Sequence, residues 1–236
     1  MYVRLKHTLS SLALEMLAQS PRNRSIAWLL AYSRLATDGG GVSEAELRRT
    51  AATIGAAGPR ALRHLEVLGI LQREGSAQNR SIRLAPEFLP HRDYFHRQVR
   101  RLAKALAALD RQTGRRRSTA LQRGIALFNA GLFFECHEFL ENIWRATAGP
   151  DRDFYHGIIQ VAAAFYHFEK GNQHGARTLL GKAVAKLDRY RPRHLGVDVR
   201  RLLSDLEPWQ RRFSAGSPGQ PLVDGDAQVI RVRATI

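Results

Sequence analysis

At 236 residues, with 44% hydrophobic and 25% charged residues, the chain has enough apolar material for two globular domains. No apolar run approaches the ~20 residues of a membrane-spanning helix. The opening Met1-Tyr-Val-Arg-Leu-Lys lacks the pattern of a secretory signal, and the single cysteine, Cys136, excludes an intrachain disulfide and a multi-cysteine zinc site. The expectation is a cytoplasmic protein with no membrane partner. The 37 Lys and Arg against 21 Asp and Glu leave a net charge of +16, which favours a polyanion, nucleic acid first, because phosphates neutralised by cations release counterions. The excess is uneven. Residues 91–123 hold 10 basic and 2 acidic residues, against 12 and 7 in residues 1–90 and 15 and 12 in residues 124–236.

In chain order, Leu9, Leu12, Ala13, Met16 and Leu17 fall at helical spacing over 8–18, and Ile26, Leu29, Leu30 and Leu35 repeat the pattern over 25–36. Ser43 with Glu46 three residues on predicts a capping box opening a third helix, which Gly55 ends. Pro59 suits the start of a fourth, where its missing N–H costs nothing; Leu62, Leu65 and Leu68 face inward, Arg60, Arg63 and His64 outward, and Gly69 stops it. Two extended runs follow, Ile70–Glu74 and Arg80–Leu84, around the turn-rich Gly75-Ser-Ala-Gln-Asn.

Helices, a glycine-punctuated turn, another helix and a hairpin: over about 20–88 this order resembles a winged helix-turn-helix domain. The resemblance implies a helix from about Ala57 to Leu68 in the major groove of DNA, with Arg60, Arg63 and His64 toward the bases. It places Arg73, Asn79, Arg80 and Arg83 on the wing, reaching backbone or minor groove. A winged helix used only for protein contacts is the other reading of the same pattern.

Residues 91–117 read as a basic helical connector. Val99, Leu102, Leu106 and Leu109 form one apolar seam, Arg100, Arg101, Lys104 and Arg111 occupy the remaining surface, and Arg115, Arg116 and Arg117 are the densest charge run, read either as a nucleic-acid contact or as a solvated loop. From 118 to 212 helices are expected near 118–130, 133–147, 152–169, 174–190 and 198–212. A flexible tail, 213–236, closes on Val229-Ile-Arg-Val-Arg-Ala-Thr-Ile, which has the character of a short strand.

The bundle carries a polar constellation. His137 and Glu141 stand at i, i+4 with Trp144 at i+7 and Glu138 adjacent, while His156, Gln160 and His167 form a polar stripe on a later apolar helix. Burying such a stripe is costly unless it is paired, so His137, Glu141, Gln160 and His167 are expected to satisfy one another. Cys136 lies off that face as a small core residue. Phe128-Asn-Ala-Gly131, Phe134-Glu-Cys-His-Glu138, Glu141, Trp144, Phe154 through Gln160, Gly171-Asn172 and Gly175-Ala176 together resemble the helical family known as domain of unknown function 309, over about 120–205. The resemblance implies a compact all-α domain without an assigned biochemical role, its pattern matched at Asn129, His137, Glu138, Glu141, Trp144, Gln160 and Asn172. His-Glu-x-x-Glu departs from the His-Glu-x-x-His of zinc proteases, and paired Glu-x-x-His motifs for a di-iron site are missing. No metal and no cofactor is therefore assigned. Phe128-Asn-Ala-Gly131 and Phe168-Glu-Lys-Gly171 recur 40 residues apart, as in helical-repeat hairpins that bind peptides.

The expected fold is mainly α: a winged helix-turn-helix with a small β-hairpin over 1–90, the connector, and an all-α bundle. The expected function is DNA binding, regulatory in kind, with duplex DNA as partner and the bundle as a sensing, dimerising or partner-binding module open to a small ligand or a protein. The rivals are a metal-dependent or acid–base hydrolase centred on His-Glu-x-x-Glu, and a protein–protein adaptor.

Overall fold

A computed structural model describes residues 1–18, 24–36, 38, 40–55, 58–76, 79–113 and 118–215. Arg115, Arg116, Arg117 and the strand expected in the tail lie outside the described residues. The molecule is mainly helical with a small antiparallel sheet, and it divides into two compact units, Met1–Ala107 and Ala108–Ile236. The helix expected as a separate connector thus begins inside the first unit.

In the first unit α1 (Tyr2–Ala18) buries Leu5, Leu9, Leu12 and Met16. It starts six residues before the apolar pattern does. Helix α2 (Arg24–Leu35) is the hub: Trp28 and Tyr32 are fully buried, and the helix packs on both α3 (Glu44–Ile54) and α4 (Pro59–Val67). The Trp28 indole N–H donates to the Gly58 carbonyl at the start of α4 (3.3 Å). The Tyr32 hydroxyl accepts from the Leu84 N–H and donates to the Gly40 carbonyl (2.6 and 2.9 Å). Burial pushes this phenol up to about 12, so it stays a neutral bridge. Strands β1 (Val42–Ser43), β2 (Leu71–Glu74) and β3 (Ser81–Leu84) form an antiparallel sheet of order β1-β3-β2, with Val42 opposite Ile82 and Leu71 opposite Leu84.

Two expectations change here. Ser43 makes no side-chain cap: it is a strand residue opposite Ser81, and the Glu44 N–H is taken by the Arg80 carbonyl (2.9 Å). Along α5 (Arg92–Thr113) the seam Val99, Leu102, Leu106 and Leu109 is buried as expected, but Gln98 and Arg101 are buried too. A long aliphatic stem lets an arginine lie along apolar surface, so this position is not part of an exposed basic face.

The second unit is built from α6 (Ala120–Asn129), α7 (Phe133–Ala146), α8 (Pro150–Glu169), α9 (Gln173–Leu187) and α10 (Val199–Ser214). The first helix opens on a true capping box, in which Thr119 accepts from the Gln122 N–H (3.2 Å) and Gln122 from the Thr119 N–H (2.8 Å). Phe128, Phe133 and Phe165 meet at 5.2–5.6 Å, and Trp209 and Phe213 of α10 close over Phe165 and Phe168. Cys136 is fully buried, and burial with Glu135 nearby raises its thiol pKa far above the ordinary value.

The turns α6–α7 and α8–α9 are copies. Gly131 and Gly171 sit at φ 82° and 75°, where a side chain would be strained. The Leu132 N–H bonds the Leu127 carbonyl as the Asn172 N–H bonds that of His167, both at 2.9 Å. A short hairpin unmarked in the sequence, β4 (Arg193–His194) and β5 (Val197–Asp198), turns through Leu195 and Gly196, both at positive φ.

Candidate functional site

Helix α7 divides its residues between two faces. Phe133, Cys136 and Leu140 go into the core, while His137, Glu138, Glu141 and Trp144 line a partly buried face. His137 Nδ1 lies 3.2 Å from Glu138 Oε1, and Glu141 accepts from Arg145 at 3.0 Å. Potential ligand atoms of His137, Glu138 and Glu141 lie within 4.8 Å of one another, a spacing that suits one cation.

At the end of α7 the Trp144 ring faces the His156 imidazole of α8 at 5.1 Å, and the Arg152 guanidinium sits 4.3 Å from the indole centroid. Arg152 also donates to the Trp144 and Thr147 carbonyls (3.2 and 3.1 Å), closing the helix end. Lys186 donates to His156 Nδ1 at 3.3 Å; burial and that ammonium together lower the His156 pKa, so the imidazole is neutral near pH 7. Trp144 Nε1 and Gln160 Oε1 are buried atoms without a hydrogen-bond partner among the described residues.

The four-residue network expected between the helices does not form. Trp144 faces His156, and ten residues back Phe134 faces Tyr166 at 5.3 Å, so each step back along α7 matches one step forward along α8. His137 is then level with Ala163, a side chain too short to answer it, and Gln160 with Leu140. His167 lies about 6 Å farther along the axis. There it pairs through Nδ1 with the Asn172 side chain (2.9 Å), whose oxygen caps α9 by accepting from the Gly175 N–H (2.8 Å). His167 and Asn172 therefore belong to a turn, and Asn129 ends α6.

On the first unit, the residues picked for DNA separate into two groups. Arg60 and Arg63 on α4, and Asn79 and Arg80 in the β2–β3 loop, are exposed, and none of their side chains is ion-paired or hydrogen-bonded among the described residues. The other three are engaged. Arg73 lies between Glu44 and Glu66 (3.3 and 3.2 Å), Arg83 pairs with Glu74 (3.1 Å), and His64 faces Glu15 at 3.9 Å. The sequence reading passed over Val67, 80% exposed on α4; the helical spacing that turned Arg60 and Arg63 outward would have found it.

No helix among the described residues is long and apolar enough to cross a membrane. Comparison with known proteins bears on the second unit. Residues 121–179 match the family model described as "Domain of unknown function (DUF309)". The chain is 38% identical over 78 residues to the "Uncharacterized protein YpuF" of Bacillus subtilis (strain 168), covering 32% of this chain and 45% of that protein. It is 26% identical over 104 residues to an "Uncharacterized protein" of Aquifex aeolicus (strain VF5), covering 44% of this chain and 31% of that one. The chain thus spans less than half the length of these curated relatives. No solved structure matches. The α7 cluster and the helices that carry it lie within a DUF309 domain, residues 121–179.

Proposed function

We propose that the chain is a DNA-binding protein, regulatory in kind, whose N-terminal unit is a winged helix-turn-helix and whose bundle binds the effector or partner. The observation that carries this reading is the exposed pair Arg60 and Arg63 on α4, unpartnered among the described residues, beside a β1-β3-β2 sheet whose loop presents Asn79 and Arg80. Helix α2 holds α4 at its start through Trp28 and holds the sheet through Tyr32. A helix fixed this way presents its arginines to the major groove, where a guanidinium bonds guanine O6 and N7. In this reading Arg73 and Arg83 act as positioning residues: their ion pairs fix the wing against α3 and α4 and within the hairpin.

The test is a titration of duplex DNA at several salt concentrations. The logarithm of affinity falls linearly with the logarithm of salt, by about 0.9 per phosphate neutralised. Arg60→Ala and Arg63→Ala relax preference at particular bases, whereas Arg80→Ala weakens all sequences alike. Affinity that is flat in salt defeats the proposal.

A second reading rests on the spacing of His137, Glu138 and Glu141: one imidazole and two carboxylates would hold a divalent cation. Such an ion would polarise a substrate or acidify a bound water, the chemistry of a hydrolase. Equilibrium dialysis against Zn²⁺ and Mn²⁺, with Glu141→Gln as the control that removes an anionic ligand, decides it. Equal uptake by both proteins rules the site out.

A further inference from the structure

We infer that Val67 reads a thymine methyl group in the major groove, making it a specificity-determining residue of the α4 surface; the inference rests on the DNA-binding reading above. Val67 is 80% exposed, although α4 is nine residues long and buries Leu62 and Leu65 completely or nearly so. At 3.6 residues per turn, Arg60, Arg63 and Val67 fall within about 60° of one another on the helix wheel. The apolar side chain is therefore set into the cationic stripe itself and not at its margin. A surface made for solvent alone gains nothing from an isopropyl group there, and one made for phosphates alone would carry a third cation.

A base edge asks for this combination. In the major groove, guanine offers two acceptors to an arginine, and thymine offers the only methyl group, which an apolar side chain contacts. Val67 is well suited to that contact. Its β-branched side chain is stiff about χ1 in a helix, so little rotamer freedom is lost on binding. Its position is fixed as well: it is the last residue of α4, followed by Leu68 at the cap and by Gly69 at φ 68°, which turns the chain toward β2. The two arginines provide charge complementarity to a polyanion, and this favours DNA over an apolar protein surface as the occupant.

The experiment selects binding sites from a random duplex pool with the full chain, then replaces each thymine of the selected site singly by deoxyuridine, which lacks only the methyl group. One position is expected to lose about fourfold in affinity, the worth of one methyl group removed from water. Val67→Ala is expected to weaken the thymine duplex by a similar factor and to abolish the loss at that position alone. Because Val67 is exposed, the substitution leaves folding intact, and Val3→Ala, the same exposed truncation made on α1, serves as a variant that keeps the deoxyuridine effect. Selection of a defined site with no deoxyuridine-sensitive position, or an unchanged penalty in Val67→Ala, overturns the inference while the DNA reading stands. Failure to select any duplex overturns both. Loss of a protein partner in Val67→Ala, with deoxyuridine silent, also overturns it and reassigns the face to protein contact.

Discussion

Forty residues separate the hairpin α6–α7 from the hairpin α8–α9, and the bonds from Ala130, Gly131, Leu132 and Cys136 recur at Lys170, Gly171, Asn172 and Ala176. Burial matches along the packed stripe: Leu121, Gly124, Ile125, Phe128, Cys136 and Leu140 are buried, and so are Val161, Ala164, Phe165, Phe168, Ala176 and Leu180, whereas at the turn Ala130, Gly131 and Leu132 are buried and Lys170, Gly171 and Asn172 are exposed. The two also part on the partly buried face. His137, Glu138, Glu141 and Trp144 of the first hairpin correspond to Arg177, Thr178, Gly181 and Val184 of the second. The second hairpin folds on the same plan without an imidazole or a carboxylate at those positions, so the plan does not require them.

If the two hairpins share a framework, damage to it costs the same in each. Leu140 and Leu180 are 0% and 1% exposed, and truncating either to alanine is expected to cost about 2–5 kcal/mol, read from denaturant melts. A large gap between the two values would show that the resemblance stops at the turns. The α7 cluster should break the symmetry instead. With Zn²⁺ or Mn²⁺ present at 100 times its dissociation constant, the parent gains about 2.7 kcal/mol, a chelator removes that gain, and Glu141→Gln never shows it. Changing Gly181, the matching position on α9, leaves the chelator response untouched. A chelator without effect on the parent leaves the cluster as a site for something other than a metal.

The turn glycines test the framework more gently. Gly131→Ala and Gly171→Ala each force a side chain into the left-handed region, at about 1–2 kcal/mol at the exposed Gly171 and at least as much at the buried Gly131. Smallest is a pH effect from His156 of α8, which stands against Trp144 of α7 and Lys186 of α9. Its pKa is lowered in the folded state by burial and by Lys186, so the unfolded chain binds more protons near and below pH 6.5. Stability is therefore unaffected by His156 at higher pH and falls as pH drops through that region. His156→Gln is expected to flatten part of that slope in melts between pH 7.5 and 5; an unchanged slope means the histidine does not contribute.

Helical periodicity is enough to find the five bundle helices and to put His137, Glu141 and Trp144 on one face of α7, because both follow from local spacing. The partners of that face are not local. Whether His137 meets Ala163 or His167 depends on the offset of two antiparallel helices, which is set by how Arg152 closes the end of α7 and by the Trp144–His156 contact. Ser43 illustrates the same limit: its spacing to Glu46 is that of a cap, yet pairing with Ser81, nearly forty residues away, claims it for a strand. The β4–β5 turn gave no signal because Leu195, at φ 45°, occupies a position where asparagine or glycine is the usual marker. On α4 the outward face of Arg60 and Arg63 is legible from spacing, and Val67 falls on it by the same count, but an apolar residue carries no polar signal to mark it as exposed.

The buried thiol of Cys136 has a use that follows from its being the chain's one cysteine. Only a thiolate reacts with alkylating reagents, and here burial both shields the sulfur and keeps it protonated. In the folded protein the chain is thus chemically silent to such reagents, and labelling has to wait for α7 to leave the core. The rate of alkylation, measured by mass, then reports the opening free energy of the bundle, with no dye or engineered probe. Any ligand that binds the adjoining His137–Glu141 face and stabilises α7 would declare itself by slowing that clock.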